Sequence, residues 1–393
     1  MSQWRTQSIS SFCEKIYSGG TPNTKKAEYW GGNLKWLSSG ETRNKYIFDT
    51  EKRITELGAK ESSTRLAYSG DVVMASAGQG YTRGQVSMLK TDTFVNQSVI
   101  VFRTDSKELL SDYLYYNLSN RYDELRALSD SNSIRGSITT KLFNSMEISI
   151  PTLDIQKKIV DTLGLIDEKI ENNKKINHHL AEMAKSIFDS YFIDLEPYGG
   201  VKPDDWQFSN LTGIANYLNG LAMQKFRPQD NEQGLPVLKI KELRQGFTDS
   251  TSDLCSPNIR RDYIIHDGDV IFSWSGSLLV DFWTGGECGL NQHLFKVTSD
   301  TYDKWFYYAW TKHHLDRFVK IAADRATTMG HIKRDALEKA EVLIPSDEDF
   351  EEIGKMLKPI YDQILNNRVE SRKLVALRDN LLPKLMSGEI SVT

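Results

Sequence analysis

Gly136-Ser-Ile-Thr-Thr-Lys-Leu-Phe-Asn-Ser-Met-Glu-Ile-Ser-Ile-Pro151 aligns without a gap on Gly330-His-Ile-Lys-Arg-Asp-Ala-Leu-Glu-Lys-Ala-Glu-Val-Leu-Ile-Pro345. Residue 136 answers residue 330, an offset of 194, and Gly136, Ile138, Glu147, Ile150 and Pro151 recur as Gly330, Ile332, Glu341, Ile344 and Pro345. Downstream, Ile159, Leu163, Ile166, Ile170, Asn172, Asn173 and Leu180 recur at the same offset as Ile353, Leu357, Ile360, Ile364, Asn366, Asn367 and Leu374. Upstream, Gly70-Asp71-Val72 answers Gly268-Asp269-Val270, Asn96-Gln97 answers Asn291-Gln292, Tyr115-Tyr116 answers Tyr307-Tyr308, and Trp4 answers Trp206. The chain is a tandem duplication. Its period is too long for a solenoid, so each copy is a domain with an appendage.

Each copy opens with mixed signals. Short β-like runs at 71–75 and 98–102 lie between Gly and Asn turns, and 112–128 has a helical pattern. A strand then ends at a proline and a long helix follows. In the first such helix Ile159, Leu163, Ile166, Ile170, Asn173, Asn177, Leu180, Ala184 and Ile187 alternate four- and three-residue steps. In the second, Ile353, Leu357, Ile360, Ile364, Asn367, Ser371, Leu374, Arg378 and Leu381 do the same. This is a heptad seam, and both seams turn polar at the same repeat position, so the helices are expected to pair with each other. Leu382-Pro383 is expected to end the second helix, whereas the first runs on to Phe192. Pro197-Tyr-Gly-Gly200 marks a boundary. The expected division is a first domain at 1–150, a long helix at 151–196, a second domain at 197–345 and a second long helix at 346–393.

The 393 residues carry a formal net charge of −4, with 39% hydrophobic and 26% charged residues, ordinary for a globular chain with a full-sized core. Global charge gives little autonomous drive towards nucleic acid, so any such binding must use local basic patches. Cys13, Cys255 and Cys288 are scattered with no metal spacing, which fits a reducing cytoplasm. The first residues lack an apolar signal-peptide region, and no apolar run approaches the ~20 residues of a membrane span. The sequence contains no Asn/Asp-Pro-Pro-Tyr/Phe tetrapeptide, no phosphate-binding loop and no zinc-protease or serine-hydrolase motif. His178-His179 and His313-His314 read as solvated helix residues rather than metal ligands.

With these features assembled, the chain resembles the specificity subunits of type I restriction–modification enzymes. The resemblance rests on Trp4; Ile16-Tyr-Ser-Gly-Gly-Thr-Pro22; Tyr29-Trp30-Gly-Gly with Leu34-Lys-Trp36; the Gly-Asp-Val turns; the Asn-Gln pairs; Ile187-Phe-Asp-Ser-Tyr-Phe192; and Leu381-Leu-Pro-Lys-Leu-Met-Ser-Gly-Glu-Ile390. One departure stands out: where the first copy reads Gly19-Gly20-Thr21-Pro22, the second reads Asn219-Gly220-Leu221-Ala222. The resemblance implies a mixed α/β (α+β) fold class, with two target recognition domains separated by two long helices in an antiparallel coiled coil. It implies that each domain reads one half of a split, asymmetric site in double-stranded DNA. It implies a non-catalytic chain that binds no cofactor itself. S-adenosylmethionine is expected in methylation subunits, two per chain, and a motor-nuclease subunit can join them. A self-contained DNA-modifying enzyme and a scaffold without base readout are the competing readings.

Phosphate contacts call for Lys, Arg or hydroxyls, and base edges for Arg, Lys, Asn and Gln on loops. Three segment pairs offer them. The first precedes the final strand: Arg135, Ser137, Thr139 and Lys141 in one copy, Arg325, Thr327, Thr328, His331 and Lys333 in the other. The second follows the Gly-Asp-Val turn: Gln79, Tyr81, Thr82 and Arg83, against Ser275 and Ser277. The third is Arg43, Asn44 and Lys45, against Lys239, Lys241 and Arg244. Asn96-Gln97 and Asn291-Gln292 read as structural turns, because both copies keep them. Antiparallel pairing would bring Asn173, Asn177, Asn367 and Ser371 into one polar layer.

Overall fold

The computed structural model describes residues 4–78, 80–130, 136–324, 332 and 334–392. They form two compact units: residues 1–167 with 376–393, and residues 168–375. Each unit therefore holds a globular domain and a stretch of both long helices.

In the first unit a five-stranded sheet runs in the order Cys13–Ser18, Val99–Thr104, Val72–Ala75, Val86–Leu89, Tyr46–Ile47. A four-stranded sheet runs Lys52–Ile54, Trp30–Leu37, Thr93–Val95, Arg65–Ala67. The period-two alternation of a strand explains why the central strands are buried on both faces. Val72, Met74, Ile100 and Phe102 face a core shared with Ile159, Leu163, Leu382 and Leu385 of the long helices. Val73, Val99 and Val101 face the opposite core, with Leu37, Ile47, Ala67 and Val95.

The second unit repeats the plan. Asn216–Asn219, Leu294–Thr298, Val270–Ser273 and Leu279–Phe282 form one sheet, and Leu254–Cys255, Leu235–Leu238, Cys288–Leu290 and Ile264–Ile265 the other. Val270 and Phe272 face the helix side with Phe188, Ile353 and Leu357, while Ile271 faces Leu238, Leu290 and Trp283. In each copy the strand after the opening tryptophan closes antiparallel on the copy's last strand, pairing Arg5 with Ile150 and Gln207 with Ile344.

The long helices span Leu153–Phe188 and Asp347–Ser387. They run antiparallel within each unit: Asn173 meets Glu370 and Ser371 while Asn177 meets Ile364, and Asp167 meets Arg378. The polar seam positions meet as one layer. Asn367 Nδ2 donates to Asn177 Oδ1 at 2.8 Å, and Asn173 Nδ2 donates to Glu370 Oε2 at 2.8 Å and to Ser371 Oγ at 3.3 Å. Gln363 and Glu370, which the seam pattern does not single out, complete it.

Several sequence expectations are corrected. The second helix does not stop at Pro383 but continues to Ser387. A mid-helix proline forfeits a hydrogen bond and crowds the preceding turn, yet Leu382, Leu385 and Met386 are buried in the first unit's core and hold the last turn in place. Gly388, at φ +76°, ends it. The helical stretch at 112–128 is two helices, Ser111–Asn120 and Tyr122–Asp130. They break at Arg121, whose guanidinium reaches the Glu147 carbonyl at 2.7 Å and Glu124 at 2.7 Å. The first helix runs on as expected, through a π-helical turn at Asp189–Ile193 that buries Phe192. His178 and His179 are exposed, but His314 is not solvated. It is 8% exposed, and its Nε2 lies 2.7 Å from the Glu341 carbonyl oxygen.

The glycine register also shifts by one. Gly20 N–H donates to Val95 O, and Leu221 N–H donates to Leu290 O. Gly19 therefore corresponds to Gly220, and Gly20 to Leu221. A Cβ on Gly19 would lie 1.9 Å from the Val95 oxygen, and one on Gly220 would lie 2.2 Å from the Asn291 oxygen. Close backbone approach, not the local spelling, fixes the shared glycine.

Candidate nucleic-acid interface

The turn after the Gly-Asp-Val strand and the segment before the last strand are far apart in sequence, yet each copy stitches them together by the same bond. Ile138 N–H donates to the Ser76 carbonyl at 2.9 Å, and Ile332 N–H donates to the Trp274 carbonyl at 3.1 Å. The third segment joins them. In the first unit Met88 N–H donates to the Lys45 carbonyl at 2.7 Å and Ser87 Oγ to the Asn44 carbonyl at 2.7 Å, on the strand that leaves the 76–85 turn. In the second, a Cβ on Gly276 would sit 3.7 Å from Ile240 Cδ1. All three segments thus gather in the first domain, and among the described residues of the second Ile332, the 274–276 turn and Ile240 lie together.

The first domain's turn is long, running from Ala75 to Val86, with positive φ at Gly78, Gly80 and Gly84 that favours glycine. The helix Tyr122–Asp130 braces it from behind. Tyr122 Oη donates to the Tyr81 carbonyl at 3.0 Å, and Arg126 donates to the Gly80 carbonyl at 2.7 Å. Arg83 is 7% exposed and pairs with Asp130. Gly136 makes room for it, since a Cβ there would lie 1.8 Å from Arg83 Nη1. Arg83 is therefore a strut of the loop rather than an outward-facing contact. Tyr81 projects, 65% exposed, with Thr82 half-buried beside it. Ser137, Thr139, Lys141, Arg43 and Asn44 are exposed. Lys45 is turned inward, its ammonium 2.8 Å from Asp167 and 2.6 Å from the Tyr116 hydroxyl.

The second domain's turn is shorter, from Ser273 to Leu279. Ser275 is buried, so its hydroxyl is not presented, whereas Ser277 is exposed and its carbonyl accepts from Ser273 Oγ at 2.9 Å. Trp274, half-buried, donates to Asn219 Oδ1 at 3.0 Å. Lys239 pairs with Asp253. Lys241 lies 3.2 Å from Asp249 and 2.8 Å from Thr251 Oγ1. Hydrogen bonds from the Thr251 side chain and backbone, reinforced by Lys241, hold the Asp249 carboxyl down at about 2. Arg244 is exposed. Gln79, Arg135, Arg325, Thr327, Thr328, His331 and Lys333 lie outside the described residues.

Asn96 and Asn291 are turn residues, as their retention in both copies suggests: each is buried, and each Oδ1 accepts a backbone N–H two residues on, from Ser98 at 2.9 Å and His293 at 3.3 Å. Sequence reasoning missed Tyr122, Arg126 and Asp130, because the first two serve the loop through its carbonyls, the third through the Arg83 guanidinium, and none carries a motif. Among the described residues no group of three His, Cys, Asp or Glu side chains could hold a metal ion, and no helix is long and apolar enough to cross a membrane.

A duplicated α/β domain with loops gathered at one place, on paired helices, defines a class. The model of the type I restriction modification DNA specificity domain matches residues 1–182 and again 203–373, and the chain belongs to that family. Among its relatives, the type I restriction enzyme MjaIX specificity subunit of Methanocaldococcus jannaschii is 27% identical, over 99% of this chain and 94% of its own length. The HindI specificity subunit of Haemophilus influenzae is 20% identical, over 99% of this chain and all of its own. The fold is that of the type I restriction-modification system S subunit from M. genitalium, with a TM-score of 0.60 at 15% identity, covering 98% of this chain and 96% of that one.

Proposed function

We propose that this chain is the DNA-reading subunit of a type I restriction–modification complex, with each domain reading one half of a bipartite, asymmetric double-stranded site. The observation that carries this reading is the pairing of a common frame with unlike loops. Both copies keep the Ile138–Ser76 and Ile332–Trp274 stitch, yet present a long glycine-rich turn in one domain and a short serine turn in the other. Equal frames hold the loops in equivalent places, and unequal side chains select unequal bases.

The chain itself is non-catalytic in this reading and holds no cofactor. Methylation subunits, two per chain, dock on it in the cytoplasm and bring S-adenosylmethionine, and a motor-nuclease subunit can complete the assembly. Support comes from the absence of an amino-methyltransferase tetrapeptide or a phosphate-binding loop in the sequence, and from the −4 net charge, which leaves much of the phosphate neutralisation to partners.

The test is co-expression with methylation subunits of the same type I family, followed by sequencing of modified bases in host DNA. The expected result is one split motif. Replacing residues 201–345 by the equivalent segment of a relative should change one half of that motif and leave the other intact. Methyl transfer by the purified chain alone would refute the non-catalytic reading, and a swap that altered both halves would refute one domain per half-site.

A further inference from the structure

The first unit holds a half-buried charge cluster that the second does not repeat at the matching positions. Asp167, on the first long helix, is 12% exposed in its side chain. Its Oδ2 accepts from Lys45 Nζ at 2.8 Å and from Tyr116 Oη at 2.7 Å, and its Oδ1 accepts from Arg378 Nη1 of the second long helix at 3.0 Å. The Lys45 ammonium also donates to Tyr116 Oη and lies 4.5 Å from the centre of the Tyr116 ring and 5.1 Å from that of Tyr46. Burial works to raise the Asp167 carboxyl, but Lys45, Tyr116 and Arg378 outweigh it and hold it below the ordinary carboxylate range. Lys45 directly follows the exposed Arg43 and Asn44, so its ammonium pins that segment to the first long helix, at a carboxylate that the second helix also holds through Arg378.

In the second unit Tyr361 stands at Asp167's repeat position and Tyr308 at that of Tyr116. They pack as rings: Phe282 stacks on Tyr308 at 4.1 Å, and Tyr308 meets Tyr361 edge-on at 5.3 Å. The corresponding segment there, around Lys239 and Lys241, is tied instead to Asp253, Asp249 and Thr251 of its own domain.

We propose that Asp167 is a positioning residue for base reading by the first domain, fixing Arg43 and Asn44 through Lys45, so that recognition of one half-site depends on this charge cluster and recognition of the other does not. The proposal rests on the DNA-reading function above. An ion pair largely withdrawn from water contributes little net stability, and here its several hydrogen bonds hold Lys45 in one place, which is the property a reading segment needs.

The experiment uses the full chain reconstituted with its methylation subunits, and DNA duplexes with single base changes in either half-site. Asp167→Asn is expected to reduce discrimination in the half-site read by the first domain at least fivefold and to leave the other unchanged. Asp167→Glu should restore part of the loss, and the neutral pair Lys45→Gln with Asp167→Asn, which leaves no unpaired buried charge, should stay relaxed. In a background of Arg43→Ala with Asn44→Ala, Asp167→Asn should add nothing, since residues acting through one another are non-additive. Equal loss at both half-sites, or full additivity in that background, overturns the proposal. If Arg43→Ala with Asn44→Ala leaves both half-sites unaltered, the positioning role falls while the reading function stands. If the parent complex shows no sequence discrimination, it is the reading function that has failed.

Discussion

Replacing Asn173 by leucine tests what the polar layer between the helices is for. Asn173 is 1% exposed. Its Nδ2 makes one short bond, to Glu370 at 2.8 Å, and two long ones, at 3.3 Å to Ser371 and 3.4 Å to the Asn367 carbonyl. Its Oδ1 is buried and accepts nothing from the described residues. Glu370 is 45% exposed and also meets Lys169, so losing Asn173 returns its carboxylate to water at little cost. The lost bonds are worth about 1 kcal/mol in sum, while removing a buried, unmatched acceptor recovers about 1–3 kcal/mol. Burying leucine adds about 1.5–3 kcal/mol, reduced by about 1–2 kcal/mol for imperfect fit against polar neighbours. Asn173→Leu is thus expected to stabilise the second unit by about 2 kcal/mol, within a span of about 0–4 set by these contributions, read as a higher urea midpoint at unchanged slope. It should also weaken the preference for one register, seen by cross-linking cysteines placed one heptad apart on the two helices. A fall in the midpoint worth more than about 1 kcal/mol would refute this account and make the layer a source of stability rather than of register.

Other outcomes follow from single sites. Burial pushes the His314 imidazole down to about 4, against the opposing pull of the Glu341 carbonyl, and the unfolded value is about 6.5. The unfolded chain alone takes up this proton as pH falls, so the stability is present above about pH 6.5 and lost between there and about 4. Discounted for partial solvent access, the loss from pH 7 to 5 is about 1–2 kcal/mol. His314→Gln, which keeps a donor towards Glu341 without titrating, should flatten that part of a urea-midpoint series. Gly220→Ala drives a Cβ to 2.2 Å from the Asn291 oxygen and should destabilise the second unit by about 3 kcal/mol or more, visible in melting and proteolysis. Gly31→Ala, where φ is +75° and nothing lies within 4 Å, should cost only about 1–2 kcal/mol. Inserting one heptad at the middle of both long helices keeps the seam in phase and lengthens each by about 10 Å. It is expected to change the spacer tolerated between half-sites, as mapped by modified-base sequencing, without changing either half-site.

The sequence by itself determined the duplication, the heptad seams with their coincident polar breaks, and the order of parts in each copy. It could do so because these are periodic or repeated signals, and a period of 3.5 or 194 residues survives without knowledge of neighbours. It also placed Asn96 and Asn291 correctly, since an Asx turn is made within three residues. What it could not decide depends on who lies opposite. Lys45, Arg83, Lys239 and Lys241 read as contact cations, but each has an acidic partner between 14 and 122 residues away in the first, second and third cases, or eight in the last, supplied by another strand, helix or loop. Ser275 and His314 read as exposed because their own side chains are polar, yet both are buried. Pro383 reads as a stop, and its helix continues because Leu382, Leu385 and Met386 have a core to enter. Local spacing fixes which segments gather and which helices pair. Only tertiary contacts settle which of the gathered charges are spent inside the fold and which remain to meet a ligand, because the energy of a charge is set by its partner and its access to water.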